Sequence, residues 1–334
     1  MKDVVVEELL SQLSPELRKR VEVGSNIEII KQPTPSYSLN SALRGGFGYG
    51  RQILVWGNKS AGKSSFCLQM IAEAQKDGKT CAWIDAEQSF DKEWAQKLGV
   101  NTDKLIYSAA RTINDMVDVA TQLMAAKVDI LIVDSISALL PAIYFEKDSD
   151  ELKALENTKQ IGAEARDMTN AVKMLNYANN QEGSTLLVLI SQHRNNISAM
   201  YTSHQPTGGQ AVKFFSSTVI KLWSSESDNN AITGKTYIGD RIIERKIGRK
   251  VIWHVDFNKT GPSFLSGEYD FYFDGDLIGV DKIAEVVDLG VQSGVIEKGG
   301  AWFTAFGERF QGRAKLIEWF KENPDKVKEL VAKI

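Results

Sequence analysis

Only two cysteines, Cys67 and Cys81, occur in 334 residues. Their spacing suits neither a disulfide framework nor a metal knuckle, and both read as small buried thiols. Histidine is nearly as scarce, with three scattered copies, so nothing in the sequence builds a zinc site. No run of about 18 apolar residues is present, which excludes a membrane-spanning helix. The N-terminal segment mixes acids, bases and leucines without the apolar centre of a secretion signal. A basic excess is missing too. The net charge is −3, so any contact with nucleic acid has to come from local patches. Internal repeats and low-complexity tracts are absent from the sequence. What remains is the composition of a cytoplasmic globular protein, 25% charged, long enough for one large domain and a smaller one or for two modest domains.

Val5, Leu9, Leu13 and Leu17 recur at helical spacing and predict a first helix over residues 4–21. A short apolar stretch at 27–30 follows, and Pro33 and Pro35 then interrupt the chain. This is either an arm, a helix and one strand tethered ahead of the main domain, or a helix packed on its own core. From residue 51 strands and helices alternate. Strands are predicted at 53–56, 81–84, 105–107, 130–133 and 186–190, and helices at 66–75, 91–98, 113–124 and 156–177. Short strands that are apolar on both faces and alternate with helices specify a mostly parallel sheet covered on both sides. Residues 214–223, 251–257 and 269–273 are expected to extend it in antiparallel fashion. Helical segments at 283–289, 314–322 and 324–331 then form a small C-terminal α/β domain. The expected organisation is an arm (1–36), an α/β core (37–268) and that C-terminal domain (269–334).

Gly57-Asn58-Lys59-Ser60-Ala61-Gly62-Lys63-Ser64 matches the P-loop pattern G-x-x-x-x-G-K-[ST] in full. Glycines let the backbone turn so that successive N–H groups face phosphates. Lys63 can then reach the β and γ phosphates of ATP, and Ser64 can offer its hydroxyl to Mg²⁺. Ser65 opens the following helix, whose positive end favours the anion. Asp134 closes an apolar strand, where a carboxylate can hold a water on Mg²⁺. Glu87, just past the strand at 81–84, is placed to deprotonate a water in line with the γ-phosphate. Asp85 reads as a structural neighbour. Gln192, beyond the strand at 186–190, is either a solvated strand end or an amide that senses the γ-phosphate. Residues 194–209 make a long connection that retains Ile197, Met200 and Tyr201. Apolar and aromatic groups there suit stacking on or wedging between bases, with a protein interface as the competing use. Gly208-Gly209 would be its hinge.

Taken in order, these motifs resemble the bacterial RecA recombinase family from about residue 38 to the end. The matching segments are Cys81-Ala82-Trp83-Ile84-Asp85-Ala86-Glu87, Lys97-Leu98-Gly99-Val100 and Val133-Asp134-Ser135-Ile136-Ser137-Ala138-Leu139. Further on come Thr207-Gly208-Gly209-Gln210-Ala211-Val212-Lys213-Phe214, Gly294-Val295-Ile296-Glu297-Lys298 and Gly300-Ala301-Trp302. The resemblance implies a RecA-type α/β core that assembles with itself as a helical filament on single-stranded DNA. It also implies ATP between subunits, and pairing with homologous duplex DNA. It makes Glu87 the catalytic carboxylate and Gln192 the γ-phosphate sensor. Trp94 falls where an aromatic ring stacks on adenine, and Asp91 where a side chain contacts the adenine edge. Residues 194–209, with Arg194, become the second DNA loop, Ile197 wedging between nucleotides. Residues 145–157 become the first DNA loop, and the N-terminal arm docks on the next protomer.

This sequence also departs from the family pattern. Of two lysines that the family supplies to a neighbour's ATP site, Lys259 remains and Phe257 stands at the other position. The first DNA loop carries Glu146, Asp148, Asp150, Glu151 and Glu156 against Lys147, Lys153 and Lys159, and acids near phosphates oppose binding. Trp223-Ser224 replaces an expected arginine pair, while Arg241, Arg245, Lys246, Arg249 and Lys250 cluster in an inserted stretch. That stretch is either a substitute duplex-binding site or a solvated edge hairpin. A RecA-fold ring helicase and a weakly hydrolysing regulatory ATP- and DNA-binding protein are the rival readings.

Overall fold

The computed structural model describes residues 2–18, 21, 23–26, 28–145, 163–196, 203–207, 209–225, 230–238 and 241–334. The chain divides into two compact units, Met1–Lys31 and Gln32–Ile334. In the first, the single helix expected over 4–21 is two: α1 (Lys2–Ser11) and α2 (Pro15–Arg18). Pro15 supplies no N–H to the preceding turn and disfavours helical geometry at Ser14. The Ser14 hydroxyl instead accepts from the Leu17 N–H at 3.4 Å and starts a new helix. Residues 28–30 form no strand; the nearest is the short Lys31–Gln32.

The second unit is built on an 11-stranded sheet. Its strands are β1 (Gln52–Gly57), β2 (Cys81–Asp85), β3 (Leu105–Ala109), β4 (Ile130–Asp134), β5 (Leu186–Asn196) and β6 (Ser203–Pro206). They continue as β7 (Thr218–Trp223), β8 (Ala231–Ile238), β9 (Arg241–Asn258), β10 (Ser266–Tyr272) and β11 (Gly279–Val280). The spatial order is β11-β10-β9-β7-β1-β5-β4-β2-β3, with β8 beside β9 and β6 beside β5. Strands β7, β1, β5, β4, β2 and β3 run parallel, whereas β9, β10 and β11 join antiparallel. The central strand is therefore β1, which the P-loop follows.

Helices α3 (Tyr37–Ala42), α4 (Lys63–Lys76), α5 (Lys92–Lys97), α6 (Ile113–Ala125), α7 (Ala163–Glu182) and α8 (Gly209–Phe215) connect or cover these strands. Alternation along β1 sends Ile53 and Val55 to one face, packed with Phe66 and Ile71 of α4. Leu54 and Trp56 go to the other face, packed with Met116, Met124, Met168 and Leu175 of α6 and α7. Burial on both faces explains the unbroken apolar run. Among the described residues, no helix is long and apolar enough to cross a membrane.

Three further expectations change. The helix expected at 156–177 is α7, shifted to Ala163–Glu182, and residues 156–162 lie outside the described residues. Residues 214–223 are not one strand: α8 ends at Phe215 and β7 begins at Thr218. The Ser216 hydroxyl turns back to the Val212 carbonyl at 2.7 Å, and Val212 anchors α8 in the second core. Packing thus overrides the strand preference of Phe214 and Phe215. The connection at 194–209 is, where described, a hairpin: β5 runs on to Asn196 and β6 returns, pairing His193 with Pro206 and Asn196 with Ser203.

Beyond the large sheet, α9 (Lys282–Gln292), β12 (Glu297–Gly299), β13 (Trp302–Ala305), β14 (Glu308–Gln311), α10 (Arg313–Glu322) and α11 (Pro324–Lys333) surround a third cluster of Val286, Ile296, Phe303, Leu316, Phe320 and Leu330. One buried carboxylate ties this layer to α3. Glu285 accepts from the Ser36 and Ser38 hydroxyls at 2.7 and 2.6 Å and from the Tyr37 N–H at 3.1 Å. Burial raises its pKa, and these donors oppose the rise. Glu285→Ala would strand several buried donors at once. It is expected to cost about 3 kcal/mol, read as a lower denaturation midpoint in urea.

Candidate active site

The loop after β1 is shaped by close backbone approach. A Cβ at Gly57 would lie 1.7 Å from the Leu222 carbonyl oxygen of β7, so only glycine fits there. Gly62 adopts a left-handed φ of 83° and turns the chain into α4. Asn58 braces the loop sideways: its amide donates to the Ser224 carbonyl at 2.7 Å and accepts from the Ser224 N–H at 3.2 Å. Lys63 is buried, and its Nζ donates to the carbonyls of Asn58 at 2.8 Å and Gly57 at 3.4 Å. Burial lowers its pKa, while the charges of Asp134 and Glu87 raise it.

The C-terminal ends of β2 and β4 bring two distant residues beside this loop, and Gln192, expected beyond its strand, lies within β5 where that strand's pairing with β1 ends. Glu87 Oε1 accepts from Gln192 Nε2 at 2.8 Å and from the Ser135 hydroxyl at 2.6 Å. The Ala86 N–H donates to the Asp134 carbonyl at 2.8 Å and fixes the turn that carries Glu87. Burial pushes the Asp134 carboxyl up to about 6, the Ser64 hydroxyl bonded to it pulls the other way, and the Glu87 charge adds to the rise. Asp85 accepts from the Phe90 N–H and the Tyr107 hydroxyl at 3.0 and 3.1 Å, as a structural neighbour would. Ser135, directly after Asp134, is a polar member of the group that the motif reading passed over.

Trp94 donates its indole N–H to the Ser65 hydroxyl at 3.0 Å. Asp91 caps α5, accepting from the Trp94 N–H at 3.0 Å, and thereby sets where that ring sits. Ser65 and Trp94 line, with Lys63, Glu87, Asp134 and Gln192, a cavity of about 390 Å³ that Asp91 does not line, in the range of small-molecule sites. Its far wall is Arg249, Val251, Phe271 and Phe273. That wall comes from β9, β10 and the residue after β10; alternate aromatics Tyr269, Phe271 and Phe273 were its only sequence signal. The donor set fits Mg²⁺–ATP. Gly62 and the loop N–H groups can cradle phosphates, Lys63 can meet them as a cation, and Ser64 beside Asp134 can hold the ion.

Residues 17–275 match the RecA N-terminal domain family and 284–334 match the RecA C-terminal domain family. The chain belongs to the RecA family. It is 35% identical over 305 residues to Protein RecA of Marinobacter nauticus, covering 90% of this chain and 81% of that protein. Identity to Protein RecA of Thioalkalivibrio sulfidiphilus is 34% over 305 residues, 90% and 82% of the two chains. The Colwellia psychrerythraea Protein RecA is 32% identical over 320 residues, 94% and 86%.

The other expected site residues of this RecA-family chain are placed unevenly. Lys259 is exposed, 5.9 Å from the Phe257 ring, and does not line the cavity. Arg194 lies on β5, paired in register with Gln205, and Gly209 opens α8. Ile197, Met200, Tyr201 and Gly208 lie outside the described residues, as does the acidic stretch 146–162. In the basic stretch of β9, Arg245 pairs with Asp274 and Lys250 with Glu268. Arg241 and Lys246 are exposed on the same strand. Arg249, expected to face DNA, lines the cavity.

Proposed function

We propose that this protein is a DNA-dependent ATPase that assembles as a filament on single-stranded DNA and catalyses homologous pairing and strand exchange. As a RecA-family member it is a DNA recombination and repair protein that binds ATP and DNA. The observation that carries the finer reading is the position of Gln192. Its side-chain amide bonds Glu87, while its own carbonyl accepts from the Thr207 N–H and hydroxyl, both at 3.0 Å, at the base of the β5–β6 hairpin. One residue therefore touches both the candidate base and the segment read as a DNA-binding element.

In this reading Lys63 and the loop N–H groups hold the β and γ phosphates, and Glu87 takes a proton from the attacking water. Gln192 donates to the γ-phosphate and sets the hairpin accordingly. Bound at Ser64 and Asp134, Mg²⁺ would neutralise phosphate charge. Trp94 offers a face to adenine. Exposed Lys259 would serve the site of the adjacent protomer, making the cavity one side of a filament interface.

The test combines ATP turnover with electron microscopy. Added single-stranded DNA is expected to raise turnover at least about tenfold, by analogy with a positioned catalytic group, and helical filaments should form with ATP. Turnover indifferent to DNA together with no filaments would overturn the recombinase reading. Hexameric rings that unwind duplex DNA would replace it with a motor.

A further inference from the structure

Arg249 belongs to a strand on which the cations nearest the cavity are held by carboxylates. Its neighbours Arg245 and Lys250 pair with Asp274 and Glu268. Arg249 pairs with no carboxylate among the described residues. Its Nη1 donates to the carbonyl of Ser60, within the P-loop, at 3.2 Å. Its guanidinium also lies 5.8 Å from the centroid of the Phe273 ring, in the range of a cation–π contact. Two local features put it there. Period-two alternation along β9 directs Arg249 to the face opposite Lys250. Gly248 next to it is buried, and a Cβ there would meet the Phe271 carbonyl oxygen at 2.7 Å. A side chain at 248 would thus push β9 from β10 and lift Arg249 off the cavity.

The sheet order says which part of a nucleotide Arg249 can meet. Gln192 within β5, Asp134 at the end of β4 and Glu87 just past β2 all stand on one side of β1. Arg249, Phe271 and Phe273 come from β9 and β10, on the other side. The γ-phosphate belongs with the first group. A guanidinium on the second side, held at the loop crest and against an aromatic ring, faces the portion that does not react.

We infer that Arg249 is a nucleotide-binding residue supplied by the same protomer, holding the sugar–diphosphate part of ATP or ADP rather than DNA. This rests on the P-loop reading above. Its planar fork has donors left beyond the one spent on Ser60, and these suit phosphate and ribose oxygens. Because the contact is equal before and after the γ-phosphate leaves, it contributes uniform binding, raising affinity without altering the chemical step.

The test uses the full-length protein and a fluorescent N-methylanthraniloyl derivative of ATP or of ADP as the probe, without DNA. Arg249→Ala is expected to weaken both about tenfold, and Arg249→Lys by less, since lysine keeps the charge and loses the fork. Steady-state kinetics should show KM for ATP raised about tenfold with kcat within about twofold. Unchanged affinity for both nucleotides overturns the inference. So does a loss confined to ATP, which would place Arg249 at the γ-phosphate. A collapse of kcat alongside affinity would make it a brace for the P-loop and overturn it too. Lys63→Ala separates the underlying reading: if that variant binds the probes as well as the parent, the P-loop assignment itself fails, whatever Arg249 does.

Discussion

Glu87→Gln is expected to lower DNA-stimulated ATP turnover by about 10²–10⁴-fold while ATP affinity stays within a few-fold. The substitution is nearly isosteric. A glutamine amide oxygen can still accept from Ser135 and from Gln192, the two donors that hold Glu87 at 2.6 and 2.8 Å. What it cannot do is take a proton from water. Binding should persist because the phosphate cradle, Lys63 and the far wall are untouched. Single-turnover hydrolysis, measured beside equilibrium nucleotide binding, separates the two effects. Turnover at the parental rate would remove Glu87 from the role of base and turn attention to Asp134, the other carboxylate lining the cavity. Retained filament assembly by the variant would show that nucleotide occupancy, without hydrolysis, sets the assembled state.

Gly57→Ala should act on the sheet as well as on the site. Gly57 is paired with Leu222 in the parallel β1–β7 register, and a Cβ would lie 1.7 Å from a backbone oxygen that cannot rotate away. The two strands must separate where the P-loop leaves the sheet, in a core already close-packed. Overpacking of this kind costs about 3 kcal/mol or more, a fall in Tm of roughly 5 °C or more for a chain of this size. ATP affinity should fall with it, since the cradle moves. Gly78→Ala provides the contrast. No atom lies within 4 Å of a Cβ built there, although its φ is +75°, so only left-handed backbone strain of about 1 kcal/mol is expected. Thermal unfolding of both variants, with and without nucleotide, checks the pair; equal Tm losses would show that the Leu222 contact yields easily.

The parts of this site that could be read from sequence are those that obey local rules. The P-loop announces itself because its glycines, Lys63 and Ser64 are contiguous. Asp134 and Glu87 were visible as carboxylates that end or follow fully apolar strands. Gln192 needed the family resemblance, because a glutamine at a strand end has many ordinary uses. The far wall was not legible. Nothing local to Arg249 distinguishes it from Arg245 or Lys250 on the same strand, and its position depends on β9 lying between β7 and β10. The β5–β6 hairpin escaped because its paired residues are polar, so no apolar alternation marks it. Residues 214–223 misled for the opposite reason: aromatic residues favoured a strand, and burial of Val212 from α8 decided for a helix. Pro15 was a local signal that apolar spacing outweighed in the reading of the N-terminal segment.

The P-loop is held in place by residues that the ribosome delivers much later. Asn58 is braced by Ser224, Trp56 donates to Asp256 at 2.8 Å, and Ser60 receives its hydrogen bond from Arg249. A nascent chain that has emerged as far as Gln192 contains the whole motif, the candidate base and the sensor, yet lacks these three partners. Contacts of such long sequence separation form slowly, because loop closure must come first. During synthesis the cavity therefore exists as an open half-site, and it acquires its second wall only when β9 is laid against β7 and β10 against β9.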